Sequence, residues 1–155
     1  MVETVGTKLR LATEEDVTEL VVLVKSFALG PMPEEYRSFD RAKVEGLLRT
    51  SITDDNSVVL VLEVNGMVQG SLIGTLIQPA FSLKILATEV MWWINKEARG
   101  PFSAIRMLTE FERWSRLKGA EGVTLSHFPE VSDTSKMYKR LGFREIEITS
   151  VKDLR

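Results

Sequence analysis

The chain has 155 residues, 44% hydrophobic and 27% charged, with 20 Lys and Arg against 22 Asp and Glu for a formal net charge of -2. That length suits one packed core and is short for two, so a single domain over 1–155 is expected, and the charge balance argues against broad, backbone-driven nucleic-acid binding. Cysteine is absent and His127 is the lone histidine, which excludes disulfides, thiolate catalysis and the usual cysteine- or histidine-rich metal sites.

Met1 to Lys8 carries no apolar stretch of the signal-peptide kind, and the longest apolar runs, such as Val58 to Leu62, are strand-sized. A cytoplasmic protein without membrane partners is the expectation. Lys8 to Leu11 reads as a first strand. Thr13 stands three residues before Asp16, the spacing of a capping box, and the helix it opens places Val17, Leu20, Val21, Val24 and Phe27 in one stripe. Gly30-Pro31 stops that helix. A loop rich in proline and charge follows, from Met32 to Phe39. Asp40 then caps a second helix, Arg41 to Arg49, with Val44, Leu47 and Leu48 turned inward.

Val58 to Val64 is β-branched and apolar, Asn65-Gly66 is a hairpin turn, and Met67 to Ile77 is the returning strand. After a connection from Gln78 to Leu83, Leu86 to Ile94 forms a third strand of this region. Strict alternation puts Glu89, Met91 and Trp93 on one face and Val90, Trp92 and Ile94 on the other. A long helix spans about Phe102 to Lys118, lined by Ala104, Met107, Leu108, Phe111, Trp114 and Leu117, and ends at Gly119. Val123 to Ser126 is a short strand. His127 to Val131 is a loop, Thr134 to Leu141 a helix ended by Gly142, and Phe143 to Leu154 supplies terminal extended segments. The order predicts a mixed α/β fold: a central, mostly antiparallel sheet flanked by helices on both faces.

From about Leu9 to Leu154, this order resembles the Gcn5-related N-acetyltransferase (GNAT) family. Two motifs carry the resemblance. One is a strand followed by Asn95-Lys96-Glu97-Ala98-Arg99-Gly100 and a helix; the other, Tyr138 to Phe143, is similar to the family's YxxLGF ending. The resemblance implies acetyl-CoA as cofactor, its pyrophosphate received by Arg99, Gly100, Phe102, Ser103 and Ala104. Amides at a helix start, with the helix dipole behind them, suit an anion. Phe102 falls where the family usually has glycine, and Pro101 offers no N–H but fits a helix start. A backbone N–H near Trp93 or Ile94 is implied as the partner of the acetyl oxygen.

Two residues are implied to be catalytic. Glu89 interrupts an apolar strand, where a carboxylate is costly unless paired. By the residues alone it is either bonded to Lys84 or an arginine, or kept for function; the resemblance implies a general base, direct or through water. Tyr138 matches the family tyrosine that protonates the departing CoA thiolate, although a tyrosine there also serves as packing. The family's asparagine seven residues earlier is Val131 here, with Ser132 and Asp133 close by. His127 is either a relay or an ordinary loop histidine, and of Trp92 and Trp93 at least one belongs to the core.

The expected activity is direct acetyl transfer to a primary amine, on a small molecule or on a protein or peptide, with a homodimer among the expected partners. The same plan also serves longer acyl groups, hydroxyl acceptors and non-catalytic relatives. Ala28 to Phe39 and Gln78 to Leu86 are expected to border the acceptor, with Glu34, Glu35 and Asp40 favouring a cation or simply facing solvent.

Overall fold

A computed structural model describes residues 6–100, 102–129 and 134–155. Its strands are β1 (Thr7–Leu11), β2 (Ser57–Val64), β3 (Met67–Ile77), β4 (Leu86–Ile94) and β5 (Val123–Thr124), and its helices are α1 (Val17–Leu29), α2 (Arg41–Thr53), α3 (Ser103–Leu117) and α4 (Ser135–Arg140). The five strands form one sheet in chain order, antiparallel except for the last pair. The expected architecture is therefore the observed one. Asn65 and Gly66 both take positive φ, the conformation that a two-residue hairpin turn requires.

Each face of the sheet has its own core. One packs α1 and α2 on the sheet through Leu20, Val21, Leu48, Val61, Ile73 and Met91. The other packs α3 on the opposite face through Leu9, Leu62, Leu72, Met107, Leu108 and Phe111. Gly74 lets α3 come close, because a Cβ there would collide with the Phe111 ring. Asp16 accepts the Thr13 N–H at 2.7 Å, as the capping spacing predicts, and Asp40 accepts that of Lys43 at 2.8 Å.

Three expectations need correcting. Leu47 and Leu117 are 43% and 74% exposed, because the apolar stripe of each helix is narrower than its apolar content. The second helix continues four residues beyond Arg49, to Thr53. Residues 143–155 join no strand, so the terminal extended segments add nothing to the sheet; Ile146, Ile148 and Leu154 stay exposed. No helix among the described residues is long and apolar enough to cross a membrane.

Candidate functional site

The site begins with an irregularity in β4. Ile73 pairs with Met91, but the next residue of β3, Gly74, pairs with Glu89, so Val90 is an extra residue in β4. A bulge of this kind inverts the side-chain alternation beyond it. The expectation that Glu89 shares a face with Met91 and Trp93 is therefore wrong. Met91 and Trp93 face α1, whereas Ala87, Trp92 and Ile94 face α3. Glu89 lies two residues from Ala87 and opposite Gly74, whose open side looks at Phe111, so it too faces α3.

β5 runs parallel to β4 for only two pairs, Ala87 with Val123 and Thr88 with Thr124. Beyond Thr88, that edge of β4 has no strand partner among the described residues, which leaves a gap between β4 and the segment after β5. Glu89 spans its start: a carboxylate oxygen accepts the Ser126 N–H at 3.0 Å. Neither Lys84 nor an arginine pairs with it among the described residues, in contrast to the ion-pair reading. Burial raises the Glu89 pKa above the ordinary value, and the Ser126 amide opposes that rise only in part.

Tyr138, on α4, comes to the same gap. Its ring stacks on Trp92 at 6.5 Å between centroids and 8° between planes, and His127 meets it edge-on at 5.6 Å. Its hydroxyl donates to the Ser126 carbonyl at 3.4 Å, a long bond. Burial pushes the phenol pKa up, the Thr134 side chain pulls it down, and the charge of Glu89 pushes it further up. Ser126 thus ties both groups together, its N–H to the Glu89 carboxylate and its C=O to the phenol. Sequence reasoning passed over Ser126 because backbone atoms carry its contacts and any residue type offers those.

Trp93 and Ile94 separate in role. The Trp93 indole packs against Phe27, donates to Asn95 Oδ1 at 3.0 Å, and lies 4.7 Å below the Arg99 guanidinium. The Asn95 N–H returns to Gln69 on β3 at 2.8 Å. Ladder alternation then turns the Trp93 N–H to β3 and that of Ile94 to the open edge, where the Ile94 carbonyl accepts Arg99 Nε at 2.7 Å. Arg99 therefore folds back on the strand end, and its terminal nitrogens have no protein partner among the described residues.

Gly100 precedes α3 without a positive φ, and a Cβ there would approach nothing nearer than Ser103 Oγ at 3.7 Å. Phe102 is the residue before the first helical position; its carbonyl accepts the Arg106 N–H at 2.9 Å and its side chain is 70% exposed. Ser103 and Ala104 occupy the first helical positions, where amides have no intrahelical acceptor. Tyr36, in the loop between α1 and α2, meets Phe128 at 6.1 Å, which brings that loop against the one after β5. Pro101, Val131, Ser132 and Asp133 lie outside the described residues. A groove of about 290 Å³ beside β5, lined by Arg116, Glu121 and Phe143 among others, contains none of the expected site residues. Convergent chemistry marks the gap; cavity size does not.

No family model matches the chain, and no curated protein sequence does. Solved structures do match. A ribosomal-protein-alanine N-acetyltransferase from Brucella melitensis biovar Abortus 2308 is 16% identical over 96% of this chain and 99% of its own, with a TM-score of 0.75. A predicted acetyltransferase from Clostridium acetobutylicum, solved with acetyl-CoA, is 16% identical over 96% of both chains, with a TM-score of 0.76. An aminoglycoside acetyltransferase from an uncultured soil metagenomic sample, in complex with sisomicin, is 16% identical over 97% of both, with a TM-score of 0.71. Likeness at this identity establishes the fold: the chain has the architecture of acetyltransferase structures.

Proposed function

We propose that this chain is an acetyl-CoA-dependent N-acetyltransferase that moves the acetyl group directly to a primary amine. The carrying observation is the convergence of Glu89 and Tyr138 on one face of the sheet, at the start of the gap between β4 and β5. A half-buried carboxylate with a raised pKa and a phenol kept protonated beside it make a base and an acid in contact with one backbone unit.

The residues present fit acetyl-CoA. The amides at the start of α3, which have no intrahelical acceptor, and the terminal nitrogens of Arg99, unpaired among the described residues, suit its phosphates. The fold makes no demand for glycine at Gly100, and close approach of a ligand to the backbone is what a glycine there allows. The exposed Phe102 ring belongs to neither core. Bound acetyl-CoA would supply the activated thioester. Glu89, directly or through water, takes the proton of the amine; the Ile94 N–H, at the open edge, donates to the acetyl oxygen; Tyr138 gives its proton to the sulfur. Holding both partners in the gap provides the proximity term.

Calorimetric titration of the wild type should show one saturable acetyl-CoA site per chain. Arg99→Ala should weaken it, more at low salt than at high, because a phosphate contact at the surface is screened. An amine panel scored by release of free CoA thiol then finds the acceptor. A folded protein that binds no acetyl-CoA at millimolar concentration overturns the proposal.

A further inference from the structure

The Tyr138 hydroxyl rests 3.4 Å from the Ser126 carbonyl, a contact that it must leave before it can donate elsewhere. One turn earlier on the same helical path stands Thr134, whose carbonyl accepts the Tyr138 N–H at 3.0 Å. Residues four apart on a helix are neighbours. Thr134 Oγ1 is buried, and among the described residues it is the one buried side-chain polar atom with no partner in hydrogen-bond geometry. A buried hydroxyl left in this way calls for a bond made in another state of the molecule. It already lies close enough to Tyr138 to draw the phenol pKa down against the rise that burial imposes.

Among the described residues, the other groups facing the ring do not donate to its hydroxyl. Glu89, when ionised, only accepts, and it opposes a negative charge on the phenol. His127 meets the ring at 76° between planes but makes no hydrogen bond to its hydroxyl among the described residues, while Trp92 and Phe143 pack the ring itself. A phenolate formed here needs a donor, and the Thr134 hydroxyl is an idle one.

We propose that Thr134 is a positioning residue for the proton step: its hydroxyl donates to the Tyr138 oxygen as Tyr138 turns its own proton from Ser126 towards the departing sulfur. The Tyr138 O–H bond breaks and an S–H bond forms. The electron pair stays on the phenol oxygen, Thr134 keeps its proton, and water later restores that of Tyr138. The sulfur rests on the acetyl-transfer reading; the pairing of the two hydroxyls does not.

The chain has two tyrosines, so a Tyr36→Phe background leaves Tyr138 alone. Growth on 3-fluorotyrosine, a stronger acid than tyrosine, brings the phenol into the range where the protein stays folded, and fluorine NMR reads its titration without any substrate. Thr134→Val keeps the side-chain shape and removes only a hydroxyl that has no partner at rest, so the fold should hold. Its Tyr138 signal should titrate at higher pH than the parent's, and Thr134→Ser should restore the parent midpoint. Single-turnover acetyl transfer should be about tenfold slower in Thr134→Val and near the parent rate in Thr134→Ser. A Thr134→Val midpoint equal to the parent's or below it overturns the pairing of the hydroxyls, whether or not the chain proves to be an acetyltransferase. A raised midpoint with an unchanged single-turnover rate overturns the role in the proton step alone.

Discussion

Asp16 and Glu89 are both carboxylates set against a packed core, and the fold treats them in opposite ways. Asp16 is 6% exposed and receives two guanidinium nitrogens of Arg10, at 2.8 and 2.9 Å, along with the Thr13 N–H. Arg10 also reaches Glu63 on β2 at 2.9 Å, so the three side chains tie β1, the start of α1 and β2 together. Pairing with Arg10 holds the Asp16 pKa below the ordinary value. Among the described residues Glu89 receives one backbone amide and no cation, and burial lifts its pKa. Ion pairing weakens one carboxyl's hold on a proton and burial strengthens the other's, and the proposed function takes the second as its base.

The sharpest way to break this comparison is Glu89→Gln. The amide retains an oxygen for the Ser126 N–H but cannot act as a base, so transfer to the acceptor should fall about 10³-fold in single turnover. Stability should move the other way. The raised Glu89 pKa means that the native state prefers the protonated acid; ionisation as pH rises through that pKa costs stability, and the amide escapes the cost. Thermal denaturation at neutral pH should show Glu89→Gln at least as stable as wild type, and a clear loss would mark Glu89 as structural. The acidic limb of the wild-type kcat/KM profile should lie above the usual carboxyl range and vanish in the variant.

Tyr138→Phe keeps the ring on Trp92 and removes the proton. Its effect should fall mainly on kcat, about 10²-fold when proton transfer limits the rate, with acetyl-CoA affinity little changed. Because product release can hide that loss, single-turnover measurement is the deciding one. Wild-type speed in that assay would reduce the tyrosine to packing.

Asp16→Asn tests the structural half. Arg10 is 24% exposed at its side chain and keeps Glu63, so the loss should be about 2 kcal/mol by denaturant titration, below the roughly 3–5 kcal/mol of a fully buried pair. The sign with pH is opposite to that of Glu89. The depressed Asp16 pKa gives stability that is present above the carboxyl's unfolded value and lost as pH falls through the folded one. The gap between wild type and Asp16→Asn should therefore close on acidification, and acetyl transfer at neutral pH should be unaffected wherever the variant remains folded.

Phe102→Gly should have the smallest effect. Were Phe102 inside the helix, glycine there would cost about 1 kcal/mol of helix propensity. It instead stands before the first helical position with its ring 70% exposed, where glycine is tolerated to within a few tenths of a kcal/mol. Thermal scans should barely separate the two, and titration should show acetyl-CoA bound at least as tightly. Loss of binding without loss of stability would mean that the phenylalanine contacts the cofactor.

Most of the framework was legible residue by residue. The Asn65-Gly66 turn, the strand from Leu86 to Ile94, the stripe from Val17 to Phe27 and the stop at Gly142 depend on local dihedrals and on a repeat that a short window contains. The mixed sheet with helices on both faces follows from the order of those elements. Types of chemistry were legible as well: Glu89 stood out against an apolar strand and Tyr138 within a motif. Their meeting was implied by the resemblance alone and by no pattern in the residues. It depends on Val90 being squeezed out of register opposite Gly74, because β3 must bring Gly74 under Phe111 of α3 while Ile73 stays with Met91 on the other core. Pairing energy between distant strands decides such a bulge, and no local pattern encodes it. The same holds for Ser126, whose backbone joins Glu89 and Tyr138, and for the idle hydroxyl of Thr134: each acquires its significance from what the tertiary fold sets beside it.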